Sequence, residues 1–122
     1  MEPNYNMARN MKIENTKAQM RKGILEYCIL LILNRRSLYV SDIIKELKES
    51  EMIVVEGTLY PLLTRLKNGG LLKYVWQESS QGPPRKYYEL TAEGKRFLTE
   101  LGLSWKKLVD AVKTIKNNDL NF

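Results

Sequence analysis

Hydrophobic residues recur at helical spacing in the stretch from Val55 to Leu72. Four leucines lie three and four residues apart there, which gives one apolar face that must pack on a core: Leu59, Leu62, Leu63 and Leu66. Pro61 suits a first helical turn, and the Gly69–Gly70 pair supplies an end. The pattern therefore predicts an amphipathic helix from about Gly57 to Asn68.

The other faces of this predicted helix carry hydroxyl, phenol and cationic groups, with no acid between its limits: Thr58, Tyr60, Thr64, Arg65 and Lys67. Such a surface suits a polyanion. The alternative is an ordinary solvated surface helix, and this stretch alone leaves both interpretations open.

The N-terminal part of the chain changes from polar to strongly apolar. Residues 1–15 are polar and have no stable period, which indicates a flexible arm, and a helix is predicted from about Thr16 to Asn34. Its first turns are basic. Its second half, from Ile24 to Leu33, is apolar nearly all the way round. Such a segment is expected to contact both its own domain and a partner chain.

A second helix is predicted between these two. The triplet Leu38–Val40 is short and rich in strand-forming residues, so it predicts one short strand. Ser41 then suits the N-cap of a helix over about Asp42–Glu49. Two helices followed by a short connection and a third helix form a helix-turn-helix motif, in which the last helix enters the major groove of DNA.

A β-hairpin is predicted directly after the third helix. Leu71–Glu78 and Arg85–Leu90 are rich in strand formers, and residues 79–84 carry a concentrated turn signal, which predicts a long exposed tip. A hairpin in this position is a wing. Arg85 and Lys86 flank its tip, where they could contact phosphates or a minor groove. The alternative is that these cations only solubilise a strand edge.

The last predicted helix begins after Thr91 as its cap and extends to about Lys116, and residues 117–122 are expected to be a disordered tail. Its apolar residues follow a 3.5-residue period: Leu98, Leu101, Trp105, Leu108, Val112 and Ile115. That period is typical of a seam between two helices. Because a terminal helix has few elements of its own domain to pack against, we expect a second copy of the chain as the partner.

Composition narrows the function. The chain has a net charge of +6 and a pI near 9.4, which favours nucleic acid or an acidic membrane face as a partner. There is no histidine, so the commonest general base and transition-metal ligand is missing, and an enzyme or a metal site is not expected. No cofactor is expected either. The single cysteine, Cys28, suits a buried hydrophobe.

The absence of a signal-peptide pattern and of an apolar run long enough for a membrane span predicts a soluble cytoplasmic protein.

Several motifs resemble the PadR family of winged-helix transcriptional regulators: Gly57–Leu63, Arg65–Leu66, Gly70–Leu72, Gly82–Thr91 and Gly94. The resemblance covers about Lys17 to Ile115 and implies a cytoplasmic dimeric repressor. The length of the C-terminal region is similar to that of the subfamily with one C-terminal helix, in which the last helix of each chain packs on the first helix of the other. The sequence departs from the family pattern at Tyr39–Val40, where a Gly-Tyr pair is frequent, and at Glu56, where serine or proline is frequent.

These observations predict a mainly α fold with a small β-hairpin. It consists of a winged helix-turn-helix domain over residues 16–91 and a C-terminal dimerisation helix over residues 92–116. The hypothesis is a homodimeric repressor that binds a pseudo-palindromic operator and whose repression is relieved by a small-molecule effector. The alternative is a winged-helix protein–protein interaction module.

The predicted DNA-binding residues lie on the first helix, the third helix and the wing: Lys17, Gln19, Lys22, Thr58, Tyr60, Thr64, Arg65, Lys67, Arg85 and Lys86. The predicted dimer interface combines the first and last helices: Ile24, Cys28, Leu31, Leu98, Leu101, Trp105, Leu108, Val112 and Ile115. Two copies of Trp105 could also sandwich a flat aromatic or cationic ligand at the dimer centre. A plain packed seam is the alternative.

Overall fold

The computed structural model describes residues 2–52 and 54–118, with side chains from residue 12 onward. In chain order, the elements are α1 (Glu2–Arg35), α2 (Val40–Glu49), α3 (Glu56–Asn68), β1 (Leu72–Ser79), β2 (Gly82–Leu90) and α4 (Ala92–Asn117). The two strands are antiparallel neighbours. This confirms the prediction of a mainly helical fold in which a hairpin follows a helix-turn-helix motif.

The core lies where α1, α2, α3 and the base of the hairpin meet. Leu59 and Leu63 of α3 are completely buried, as are Ile29 and Leu30 of α1 and Ile43 of α2. The leucine pattern of the third helix therefore predicted its inward face correctly. Burial of side chains of this size contributes about 1.5–3 kcal/mol each, so these few residues fix how the three helices pack.

Helix α1 begins at Glu2, whereas the sequence pattern placed its start near Thr16 after a flexible arm. The side chains of residues 12–23 are all exposed, so this part of the helix extends away from the core. A helix adds residues to an existing turn at little cost, and Met, Lys, Arg and Gln favour this state. The hydrophobic pattern could not show the extension because that pattern reports only faces that pack on a core.

Helix α2 begins at Val40, two residues earlier than its predicted cap implied. Tyr39 is the N-cap residue, and its side chain makes no capping hydrogen bond, while Ser41 already lies inside the helix. The predicted strand is reduced to one bridge, in which Leu38 and Tyr88 exchange backbone hydrogen bonds of 3.1 and 2.8 Å. Since the side chain of Val40 is buried, its packing favours the earlier helix start.

Helix α3 has nearly the predicted bounds, but Pro61 is its sixth residue and therefore lies beyond the first turn. The missing N–H leaves the carbonyl of Gly57 without its usual helical donor. Both residues are exposed, so water can reach that carbonyl. At the other end Gly70 has a φ of 81°, and the Leu71 amide donates to the Leu66 carbonyl at 3.0 Å, which closes the helix in a left-handed turn.

The hairpin differs from its prediction at the tip. Only Ser80 and Gln81 lie between β1 and β2, so the long exposed tip predicted over residues 79–84 is wrong. The ladder continues to a Ser79–Gly82 pair beyond an irregularity after Gln77. Residues 83 and 84 are prolines within β2; they fit because a two-stranded sheet has only edge strands, where a missing N–H costs little.

The start of α4 is fixed by its predicted cap. The Thr91 hydroxyl accepts a hydrogen bond from the Gly94 amide at 3.0 Å and donates one to the Gly70 carbonyl at 2.6 Å. A β-carbon on Gly94 would lie 2.1 Å from the Leu71 carbonyl oxygen, so this close approach of backbones requires glycine. The cap thus joins α4 to the turn that ends α3.

Candidate nucleic-acid interface

The outward face of α3 carries the residues that the sequence singled out. Thr58, Tyr60, Thr64 and Lys67 are exposed, and Tyr60 retains 46% of its accessible surface despite its large ring. The buried leucines orient this face. Because residues three or four positions apart lie on the same side of a helix, the leucines form the inward side, and the polar residues between them lie on the outward side. The predicted polar surface therefore exists in the folded chain.

An open groove of about 410 Å³ lies between this face, the start of α2 and the wing. Its lining residues come from all three elements: Tyr39, Val40, Ser41, Glu56, Tyr60, Trp76, Pro84, Arg85, Lys86 and Tyr88. The N-termini of α2 and α3 both reach it. Unpaired amide groups and the helix dipole make such termini favourable for anions, so the groove has the electrostatics of a phosphate site.

The wing cations at this groove are held by aromatic rings. The Arg85 guanidinium lies 4.7 Å from the ring centre of Tyr39. The Lys86 ammonium lies 4.6 Å from the ring centre of Tyr74 and 5.4 Å from that of Trp76. These contacts restrict the side chains but leave their N–H groups able to donate. The rings thus position the two cations, and neither forms an ion pair with a carboxylate of the described residues.

Arg65 has a different environment from the other predicted contact residues of α3. It forms an ion pair with Glu26 of α1. This ion pair joins α3 to α1. Lys67 lies 5.2 Å from the ring centre of Tyr74, on the side of α3 that meets the wing. Arg65 therefore braces the fold, whereas Lys67 belongs to the cationic surface.

From residue 12 onward, the basic residues of α1 are exposed, but none of them lines the groove. Gln19 and Lys22 lie on the exposed part of the helix, and Lys17 pairs with Glu14 at 3.6 Å. Lys17 also lines a second cavity, of about 460 Å³, together with Met20, Arg21, Ile24 and Trp105. The structure thus associates this end of α1 with α4 rather than with the wing.

The predicted seam of α4 is buried only in its first part. Leu98 is buried and Leu101 half-buried against the core, whereas exposure of Leu108, Val112 and Ile115 reaches 60%, 51% and 68%. In α1, Ile24 and Cys28 are half-buried and Leu31 is 42% exposed. The described residues of this chain therefore leave an apolar stripe along the second half of α4 uncovered.

Two residues of the groove were missed by the sequence analysis. Trp76 is 61% exposed and Tyr39 supports Arg85, but both had been treated only as strand-forming residues. The alternation along β1 contained a signal for Trp76: it shares a face with Leu72 and Tyr74, so it continues the inner face of the wing beyond the core. Nothing in the local sequence connects Tyr39 with Arg85.

Three ionisable groups are perturbed by their surroundings. The Ser37 hydroxyl donates to the Glu89 carboxylate at 2.8 Å and, with Lys73 at 3.4 Å, lowers the pKa of Glu89. Burial raises the pKa of Cys28, which keeps its thiol protonated. Burial, with Tyr60 and Tyr74 nearby, raises the pKa of Tyr88. None of these shifts creates a general acid or base near neutral pH.

Two other kinds of site are not found in the described part of the chain. Between residues 2 and 118, leaving out 53, no three His, Cys, Asp or Glu side chains are grouped to hold a metal ion. The helices in that same part are too short or too polar to cross a membrane.

A helix-turn-helix motif with a wing, and with a cationic groove between them, defines the winged-helix class of proteins. Residues 29–100 match the transcriptional regulator PadR-like family. The chain belongs to this family of transcriptional regulators.

Solved structures show the same relationship. A PadR-like transcription factor from Bacteroides fragilis is 64% identical, with 83% of this chain and 98% of that chain covered and a TM-score of 0.71. A PadR family regulator from Eggerthella lenta is 33% identical, with 93% and 99% covered and a TM-score of 0.84. Bacillus subtilis PadR, solved in complex with operator DNA, is 27% identical, with 64% and 46% covered and a TM-score of 0.59.

Proposed function

We propose that this protein is a homodimeric, cytoplasmic repressor that binds a pseudo-palindromic DNA operator. The observation that carries the proposal is the groove in which the starts of α2 and α3 meet the ring-held cations Arg85 and Lys86. The similarity to a relative solved with operator DNA supports the same partner. A repressor acts by occupying its operator, so no catalytic group is needed.

In this proposal, α3 enters the major groove and the wing contacts the adjacent backbone. Thr58, Tyr60 and Thr64 face base edges and phosphates from the N-terminal part of α3. Lys67, Arg85 and Lys86 bind phosphates, which sets affinity more than sequence preference. Lys17, Gln19 and Lys22 extend the basic surface along α1. Arg65 contributes indirectly, because its ion pair with Glu26 orients α3 on α1.

The proposed dimer covers the apolar stripe of α4. Leu108, Val112 and Ile115 follow a 3.5-residue period and have no core to pack on among the described residues. A second copy supplies a helix with the same pattern, and the exposed edge of α1 at Leu31 extends the contact. Two-fold symmetry then predicts a pseudo-palindromic operator whose half-sites lie one helical turn, or about 34 Å, apart.

We further propose that the cavity beside Trp105 accepts the effector. The Trp105 ring lies 6.3 Å from that of Tyr27, and Met20 and Ile24 add apolar surface. Lys17 and Arg21 also line the cavity, so its charge favours a neutral or anionic aromatic compound over the cationic one that the sequence left open. Binding between α1 and α4 would change the angle between the two DNA-binding domains.

A mobility-shift titration with the DNA upstream of the chain's own gene tests DNA binding. We expect a complex that random DNA competes for poorly and that weakens as salt increases. Lys86→Ala should weaken binding to all sequences and flatten the log–log salt slope by about one unit. Lys107→Ala is the matched control, because Lys107 is exposed on α4 away from the groove. Thermal unfolding of each variant verifies that it folds.

The competing function, a protein–protein interaction module, makes the opposite prediction. It requires that random DNA compete as well as the upstream DNA, and that Tyr60→Phe and Lys86→Ala both leave the affinity unchanged. That result would remove the repressor proposal.

A further inference from the structure

An acidic residue stands at the start of the recognition helix, in a groove otherwise suited to phosphates. Glu56 is the first residue of α3, is exposed, and lines the groove with Tyr60, Arg85 and Lys86. A carboxylate that faces a phosphate is repelled by it even in bulk water, because the two groups carry charges of the same sign. The presence of Glu56 in this groove is therefore explained only if its carboxylate has a specific role or lies away from the phosphates.

The surrounding cations do not neutralise this carboxylate. Arg85 lies over Tyr39, and Lys86 lies over Tyr74 and Trp76. Within the described residues, the ion pairs involve other acids: Glu14, Glu26, Glu46, Glu89 and Glu93. Glu56 lies instead in the first turn of its own helix, where the helix dipole favours a negative charge. Its oxygens thus remain available as acceptors on the groove surface.

The position of Glu56 directs it toward bases rather than phosphates. In helix-turn-helix proteins, the N-terminal residues of the recognition helix are the ones that contact base edges in the major groove. Among the base edges there, the N4 amino group of cytosine is the donor that a carboxylate pairs with, while guanine presents only acceptors. Glu56 is exposed, and a β-carbon added at the next residue, Gly57, would meet nothing within 4 Å, so the backbone at the start of α3 is open on that side.

We propose that Glu56 is a specificity-determining residue that accepts a hydrogen bond from the N4 amino group of a cytosine in each operator half-site. This inference rests on the proposed DNA-binding function. Its carboxylate also rejects sequences in which an acceptor, such as the N7 or O6 of guanine, occupies that position. The acid therefore lowers the affinity for random DNA and for wrong sites more than for the operator.

The test is selection of binding sites from a random duplex library by the wild-type chain, Glu56→Gln and Glu100→Gln. Glu100 is exposed on α4, so its variant makes the same change of charge away from the groove. We expect the wild type and Glu100→Gln to prefer one cytosine per half-site by about tenfold over the other bases. Glu56→Gln should lose that preference and favour adenine there, because an amide pairs with the N6 and N7 of adenine.

The outcomes separate this inference from the function on which it rests. If Glu56→Gln binds every sequence more tightly and keeps all positional preferences, Glu56 only repels DNA and the inference is wrong. Unchanged preferences and unchanged affinity overturn it as well, while specific binding by the wild type still supports the repressor. If the wild type selects no sequence at all, the proposed function and the inference fail together.

Discussion

At the residue scale, the connection between α1 and α2 is tied to the wing by one carboxylate. Ser37 donates to Glu89, and Lys73 lies on the other side of the same carboxylate. The neighbouring backbone bridge between Leu38 and Tyr88 holds these groups in register. This small network positions β2, and hence Arg85 and Lys86, relative to the helices.

The lowered pKa of Glu89 predicts a pH-dependent stability. A carboxyl whose pKa is lower in the folded chain stabilises the fold above its unfolded pKa, and this stabilisation is lost as pH falls through the folded pKa. Ser37→Ala should therefore lower the free energy of unfolding by about 1 kcal/mol at pH 7. The difference should disappear once the carboxyl is protonated in both states. Urea unfolding between pH 7 and pH 3 measures it.

A second background serves as the control for this prediction. In Glu89→Gln the acceptor does not titrate, so Ser37→Ala should have an effect there that is independent of pH over the same range. A pH dependence that persists in the Glu89→Gln background would assign the effect to another group.

At the element scale, helices α1 and α4 form a cavity that lies outside the helix-turn-helix motif and the wing. Their shared cavity contains Trp105, Tyr27 and the cations Lys17 and Arg21. Cys28 lies one helical turn after Ile24, a lining residue of the cavity, and keeps a protonated thiol because burial raises its pKa. The chemistry of this cavity is therefore that of an aromatic site with positive charge at its rim.

Effector binding at this cavity is testable by fluorescence. The chain has two tryptophans, so Trp76→Phe leaves Trp105 as the only tryptophan reporter. Aromatic carboxylates should quench its emission saturably and release the operator, whereas matched aromatic cations should bind more weakly. Trp105→Phe is the control, in which the remaining signal of Trp76 should not change. A lack of any saturable response across such compounds contradicts the effector proposal.

At the scale of the whole molecule, one recognition helix contacts only a few base pairs, so specificity depends on pairing two of them. In the proposed dimer, the apolar stripe of α4 is the surface for that pairing, with Leu108 at 60% and Ile115 at 68% exposure. Because these side chains pack on little of their own chain, changing them affects assembly rather than the fold of the monomer.

Leu108→Glu tests the assembly. We expect the wild type to sediment as two 14.3 kDa chains and the variant as one, with unchanged helical content. Its affinity for a palindromic operator should fall at least about a hundredfold, because the second half-site no longer adds to the first. Lys107→Glu introduces the same group on the neighbouring, polar face and should remain dimeric. A dimeric Leu108→Glu would place the interface elsewhere.

The sequence by itself determined the elements that local rules control. The leucines of α3 predicted its inward face, and Thr91 predicted the start of α4. The strand formers after Gly70 predicted a hairpin. The start of α1 and the short hairpin tip were missed, because solvent-exposed helix extension and proline at a strand edge leave no hydrophobic signature.

The tertiary structure decided which distant residues meet. It paired Arg65 with Glu26, brought Lys17 beside Trp105 and placed Trp76 next to Lys86. Periodicity fixes the orientation of a side chain relative to its own core, but contacts between elements depend on how those elements pack. The polar face of α3 was therefore predictable from sequence, whereas the groove that this face forms with the start of α2 and the wing cations required the fold.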